Sequence, residues 1–325
     1  MFKRILGSLA LAATGALSLT ALAQDYPAAP IRVVIPYAPG GGSDILARPV
    51  GVYIEGALKQ PVVIDNKGGA GGNIGSEFVA RSAPNGYTLL LANNSQVINQ
   101  FVYKRPGYDM EKDFAPISLL GTSPTVVVVN KSLPVNSIRE LIEYAQKNEG
   151  KLNFSSAGVG TPGHLAGLLF NKQAGLNIVH VAYKGTGPAI LALLQNEVQV
   201  HFATPAAADP HVKSGEFKAL AVTSQGRFAQ LPNLPTVAES GVPSLRDYHI
   251  DVWWGLLAPA GTSASILEKL NASVAAALRD PKLRDSWLSR GMVPTSNSVV
   301  AFQSLIRSDL QKWEKLVRDN DIKVD

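Results

Sequence analysis

The stretch "PYAPGGGSD", residues 36–44, directly follows the apolar run 31–35 and places three glycines where a strand should turn into a helix. Glycine leaves backbone N–H groups uncovered at such a turn, and the N-terminus of the next helix adds partial positive charge. The chemistry this suits is the holding of an anion. A second turn of the same character, "NKGGAGGNIG" at residues 66–75, follows the next predicted strand. Gly40, Gly41, Gly69, Gly71 and Gly72 therefore read as backbone-contact or close-approach positions, with plain turn geometry as the alternative. Asp44 is set to cap its helix, since a carboxylate facing the anion would repel it.

Other chemistries find little support. A Walker A loop needs Gly-Lys-Ser or Gly-Lys-Thr, and neither occurs. Residues 158–163 match GxGxxG after a predicted strand. However, the acidic residue that a dinucleotide site needs about twenty positions on is missing, and Lys184 is the one charge in residues 181–187. There is no GxSxG and no HExxH, and Ser43 has no histidine before His164 in sequence to act as its base. The five histidines, His164, His180, His201, His211 and His249, show no metal-ligand spacing, and no cysteine is present. We expect no metal and no cofactor. A secreted hydrolase or isomerase using His164 near Ser155 or Ser156 is the alternative from another class, weakened by the lack of a visible base and acid pair. His164 otherwise serves as donor or cap near a cleft, or in ordinary helix packing.

The elements that would position these residues alternate between β-rich apolar runs and helix-period segments, which is the signature of βα units around a parallel sheet. Strands are predicted at 31–37, 62–65 and 87–92, with helices over 43–58 and through 81. The third strand ends in Asn93-Asn94-Ser95, so three strand ends meet polar or glycine-rich loops, where ligands bind in open α/β sheets. Residues 114–130 form one long extended stretch, the first crossing into a second domain that restarts with a helix at 137–147 and a strand at 151–155. Residues 247–262 read as a long strand returning to the first domain, and the chain from 264 onward reads as helical. The predicted division is 24–124 with 248–325 for domain 1 and 125–247 for domain 2. Two crossings between two α/β lobes make a hinge, and with it a clamshell.

Residues 1–23 read as a signal peptide: Lys3 and Arg4, then an apolar run to about residue 22, then Ala21-Leu22-Ala23 as the cleavage pattern. An uncleaved anchor is the alternative, although the run is short for a bilayer span, and nothing later in the chain is apolar enough to span. Cleavage after Ala23 would place the protein in the periplasm and leave 28 basic against 25 acidic residues. The bases are scattered and not interleaved with aromatics, so nucleic acid is not an expected partner. Without cysteine no disulfide is possible, and the core of a 325-residue chain that is 46% hydrophobic must hold the fold.

The chain resembles the Bug receptors, the TctC-like extracytoplasmic solute-binding proteins of the tripartite tricarboxylate transporter family. The resemblance covers the whole chain after residue 23 and is carried by "PIRVVIPYAPGGGSD", "VIDNKGGAGGNIGSEFVARSAPNGYTLL", "NFSSAGVGTPGHLAGLLF", "VAYKGTGPAILALL", "KALAVTSQGRFAQLPNLPTVAESG" and "WWGLLAPAGT". It implies a two-lobed type II periplasmic-binding-protein fold, α/β throughout. Each lobe would be a mainly parallel sheet flanked by helices, and two crossover strands would form the hinge. It also implies a usually monomeric receptor, not an enzyme. Such a receptor captures a small carboxylate for the membrane components of a transporter, or presents it to a sensor kinase.

The implied binding mode is a pair of loops gripping a carboxylate like pincers. On this chain the loops supply Tyr37, Pro39, Gly40, Gly41, Gly42, Ser43 and Asp44, then Gly69, Ala70, Gly71, Gly72 and Asn73, with Ser95 at the third strand end. The opposite lobe would add Ser155, Gly160, Thr161, His164, Tyr183, Lys184, Ala203 and Thr204. Lys184 either meets a second ligand carboxylate or stays solvated at its turn. Many relatives carry aspartates where this chain has Gln199 and Ala203, and the loss at Ala203 argues against a zwitterionic amino acid. A dicarboxylate, a tricarboxylate or an aromatic carboxylate fits better. Tyr37, Phe202, Trp253 and Trp254 form an aromatic wall or, for the tryptophans, pack in the core.

Overall fold

A computed structural model describes residues 26–319. The signal-peptide reading of residues 1–23 lies outside the described residues. The chain opens with strand β1 (Ile31–Ile35), then α1 (Gly42–Leu58), β2 (Val62–Asn66), a 3-10 turn at Ala70–Gly72, α2 (Asn73–Ala80), β3 (Thr88–Asn93) and α3 (Asn94–Val102). β1 stops at Ile35, two residues short of the predicted end at Tyr37, because Pro36 has no N–H to continue the ladder. β2, β1 and β3 pair in parallel. Their residues are largely β-branched and aliphatic, as strands covered by helices on both faces must be.

β4 (Phe114–Pro124) belongs to this first sheet, whereas β5 (Val126–Asn130) belongs to a second. The predicted single stretch 114–130 is thus two strands broken at Thr125, where the chain leaves one sheet for the other. The second sheet is built by α4 (Ile138–Lys147), β6 (Asn153–Ser156), α5 (Pro162–Ala174), β7 (Val179–Ala182), α6 (Thr186–Leu194), β8 (Val200–Ala203), α7 (Pro205–Lys213) and β9 (Phe217–Val222). β10 (Asp251–Pro259) returns to the first sheet and is followed by α8 (Ala264–Ala277), α9 (Pro281–Leu288), β11 (Val293–Pro294) and α10 (Val299–Asp319).

The strand orders are β11-β4-β10-β3-β1-β2 and β7-β6-β8-β5-β9. Parallel pairing holds within β2-β1-β3 and β7-β6-β8, while β10, β11 and β5 pair antiparallel. The antiparallel strands are the crossover strands and their neighbours, which enter a sheet from the opposite end. The crossing is stitched at one point: Thr223 N–H donates to the Thr125 carbonyl at 2.9 Å, and Ile250 N–H donates to the Thr223 carbonyl at 2.8 Å.

β11 corrects the expectation that residues from 264 onward are all helical. It pairs with β4 through Val293 and Pro294 alone, too short a segment to impose a period on the sequence. α10 buries Phe302, Ile306, Asp309, Trp313 and Val317 along one stripe. Asp309 Oδ2 accepts from Trp253 Nε1 at 2.6 Å and from Asn94 Nδ2 at 3.3 Å, which fixes the terminal helix to the return strand. Among the described residues no helix is long and apolar enough to cross a membrane.

Candidate functional site

Beyond the carboxyl ends of the strands, between the two sheets, lies a cavity of about 70 Å³. The first lobe contributes Tyr37, Gly41, Gly42, Ser43 and Asn93 to its wall, and the second contributes Thr161, Gly163, Thr186 and residues 201–204, with Thr125 and Trp254 at the crossing. No Lys, Arg, Asp or Glu lines it. Four helices begin at this wall instead, and the N-caps of α1, α5, α6 and α7 (Gly41, Thr161, Gly185 and Thr204) make no side-chain capping bond. Uncapped first turns keep donors free, and each terminus carries about half a positive charge. One terminus from the first lobe and three from the second therefore create an anion-favouring field without a charged side chain. α3 also starts here, but its first turn is closed by the capping box of Asn93 and Gln96.

The wall is rigid. Trp254 Nε1 donates to Ser43 Oγ at 3.0 Å, and Tyr37 Oη donates to Asn93 Oδ1 at 3.1 Å. Thr161 Oγ1 donates to the Gly158 carbonyl at 2.6 Å. Thr204 Oγ1, by contrast, is buried with no partner among the described residues. A donor left unpaired at a buried wall is costly unless a guest completes it. Of the aromatic wall considered for the site, Tyr37, Phe202 and Trp254 line the cavity. Trp253 points the other way, edge-on to Phe302.

Asp44 differs from its expected role. The N-cap of α1 is Gly41, and the Asp44 carboxylate sits behind the loop as a brace. It accepts from Gly40 N–H at 3.1 Å, from Arg48 Nε and Nη2 at 3.0 and 2.8 Å, and from Asn66 Nδ2 at 3.0 Å. Burial pushes this carboxyl up, but these bonds and the Arg48 charge outweigh it and hold the group below its ordinary range. Pro39 and Gly40 lie exposed on the outer edge of the loop.

The second glycine loop does not line the cavity but seals its rim. Asn99 Nδ2 donates to the Gly71 carbonyl at 3.1 Å and to Asn73 Oδ1 at 2.6 Å, and Tyr103 Oη reaches across the lobes to the Val159 carbonyl at 3.2 Å. A Cβ on Gly71 would overlap the Val159 carbonyl oxygen, and one on Gly160 would overlap Asn99 Oδ1. The lobes touch backbone to backbone along this seam, so the conformation is a closed one. Gly72 is buried and Gly69 and Ala70 are exposed. Ser95 is fully buried, its N–H on Asn93 Oδ1 at 2.8 Å.

The histidines also depart from expectation. His164 accepts at Nδ1, which takes the Gly160 N–H at 3.1 Å, so its neutral ring carries the proton on Nε2. It lies beside neither serine but stacks on His180 at 4.1 Å. Ser156 pairs with His180 at 2.7 Å and Ser155 with His201 at 2.9 Å, and among the described residues no acid bonds to either histidine. Burial pushes His164 down to about 3 and His180 and His201 to about 4, so all three are neutral. No group of three metal-ligating side chains exists among the described residues. Tyr183 is partly buried and Lys184 is exposed, and neither lines the cavity.

Of the predicted residues, Tyr37, Gly41, Gly42, Ser43, Thr161, Ala203 and Thr204 meet in one wall. Thr186, Thr125 and His201 join it without having been singled out. Thr186 had a readable signal, a polar residue opening a helix after a strand. Thr125 and His201 had none, because they arrive from a lobe crossing and from within a strand.

The chain matches the family described as "Tripartite tricarboxylate transporter family receptor" over residues 46–322. It is 33% identical to "Protein BugT" of Bordetella pertussis over 96% of this chain and 95% of that one. Among solved structures, "periplasmic binding protein BugD" superposes with a TM-score of 0.87 at 35% identity, covering 92% of this chain and all of that one. "R. palustris Rpa4515 with adipate" gives 0.88 at 33% identity, with the same coverage. MatC from Rhodopseudomonas palustris "with bound malate" gives 0.85 at 30%, covering 90% of this chain and all of that one. The two-sheet architecture is therefore that of periplasmic binding proteins.

Proposed function

The chain belongs to the tripartite tricarboxylate transporter receptor family, and on that premise we propose that it is a periplasmic receptor that captures a small carboxylate between its lobes and delivers it to the membrane components of a tripartite transporter. The family is one of solute-binding receptors, not enzymes. Residues 24–124 with 248–325 form the first lobe and residues 125–247 the second, residues 1–23 being removed after Ala23 on export. The single observation that carries the ligand class is the uncharged cavity on which four uncapped helix N-termini converge from both lobes. The adipate and malate of the two similar structures point the same way.

In this reading Gly41, Gly42 and Ser43 hold one carboxylate, braced by Asp44, and Thr204 and the first turn of α5 meet it from the opposite lobe. Hydrogen bonds to a charged group contribute about 1.5–3 kcal/mol each, so four give about 6–12 kcal/mol against the roughly 8 kcal/mol of a micromolar complex. The excess at the upper end offsets ordering and lobe closure. No acidic side chain lines the cavity to pair with an ammonium, so aspartate and glutamate should bind at least about tenfold more weakly than the matching diacids.

Thermal unfolding against mono-, di- and tricarboxylates, aromatic acids, amino acids and nucleotides tests the proposal. A midpoint that rises with the concentration of one carboxylate class supports it, and a rise with nucleotides alone overturns it. Thr204→Val sharpens the test. It removes a hydroxyl that has no partner among the described residues, so the unliganded midpoint should hold or rise while carboxylate affinity falls about tenfold or more. Unchanged affinity by calorimetry would remove Thr204 from the site.

A further inference from the structure

His201 lines the cavity and is 2% exposed. Its Nδ1 lies 2.8 Å from the Ser155 carbonyl oxygen and 2.9 Å from Ser155 Oγ. A carbonyl only accepts, so Nδ1 must carry the ring proton and donate it. In a neutral imidazole this leaves Nε2 as a bare acceptor, and Nε2 has no partner among the described residues. The ring is kept neutral by burial, and the first turns of α6 and α7 at the same wall further oppose a positive charge. Asn93 Oδ1, another acceptor at the wall, is already occupied by Tyr37 Oη and Ser95 N–H.

A cavity otherwise built to donate to anions thus has at its wall one ring nitrogen that can only accept. A carboxylate oxygen facing it would meet lone pair against lone pair.

Resting on the carboxylate reading above, we infer that the ligand is a hydroxy diacid, with its carboxylates at the helix N-termini and its hydroxyl donating to His201 Nε2. His201 is then the residue that selects the hydroxyl, and Ser155 fixes its tautomer.

The experiment is calorimetry on the purified protein with malate and with succinate, which differ by that one hydroxyl, in two buffers of different ionisation enthalpy. Malate should bind about 10- to 100-fold more tightly, with no net proton uptake, because succinate covers Nε2 without offering it a donor. In His201→Phe the preference should fall to within about threefold. Nitrogen NMR of the histidine rings gives a second readout that needs no variant: the Nε2 signal of His201 should shift with malate and not with succinate.

Succinate binding as tightly as malate overturns the inference, as does proton uptake on binding, which would make His201 an imidazolium donor to a second carboxylate. Retention of the preference in folded His201→Phe, or an unmoved Nε2 signal, removes His201 from the role. If no carboxylate binds at all, the carboxylate reading fails and this inference with it. If succinate binds and malate has no advantage, the hydroxyl assignment fails alone.

Discussion

Gly71→Ala is expected to weaken carboxylate binding about a hundredfold or more while lowering the unliganded melting midpoint by only a few degrees. Gly71 has φ +62°, and an alanine adopting that conformation costs about 1–2 kcal/mol, or roughly 2–6 °C in a chain of this size. The larger effect comes from closure. The alanine Cβ would overlap the Val159 carbonyl oxygen, a backbone atom of the opposite lobe that cannot swing aside as a side chain can. The clash exists only with the lobes shut. A ligand held by the first lobe alone would forfeit its bonds to the second, and losing two charge-assisted bonds amounts to about 3–6 kcal/mol.

Gly150→Ala is the matched control, because Gly150 has φ +72° with nothing within 4 Å of its would-be Cβ. Both variants should show the same small drop in midpoint, and only Gly71→Ala the loss of affinity. Equal affinities in the two would mean that the seam of Gly71 and Val159 plays no part in capture.

The second large effect is a loss of stability in mild acid. His164, His180 and His201 are buried and neutral, with pKa values pushed down to about 3, 4 and 4, against about 6.5 in an unfolded chain. As pH falls below 6.5 the unfolded state takes up these three protons and the folded state does not, so unfolding is favoured. Between pH 7.5 and 5.5 each histidine should cost roughly 1.4 kcal/mol, roughly 4 kcal/mol together, out of a total stability of about 5–15 kcal/mol.

Asp251 and Asp309, both held above their ordinary values by burial, act in the opposite sense as they take up protons. Urea unfolding at the two pH values should show a clear loss, with a slope approaching three protons at the acid end. His164→Leu should remove about one of them. A flat profile from pH 7.5 to 5.5 would show that these rings are solvated, and that the packing between α5, β6 and β7 is looser than described.

Much of the fold was legible in consecutive residues. The β-branched run of β1, the glycine turn after Ile35 and the periodic α1 are local signals, and the stripe of Phe302, Ile306, Trp313 and Val317 marked α10 as a covering helix. So were the glycines of the first loop, because the need for free backbone donors is met or missed within a few residues. Those features, with the family likeness spread over the whole chain, were determined by the sequence itself.

Only the tertiary structure decided what faces what. It turned the second glycine loop from a ligand pincer into a seal, moved Asp44 from the helix cap to a brace, paired Ser155 and Ser156 with His201 and His180 and not with His164, and left Lys184 outside. It also brought the first turns of α1, α5, α6 and α7, from sequence positions 41 to 205, to one wall. The reason is physical. Secondary structure and turn chemistry depend on neighbours within a few residues, whereas a closed cleft depends on the angle at which two independently built sheets meet. No short stretch of sequence contains that angle.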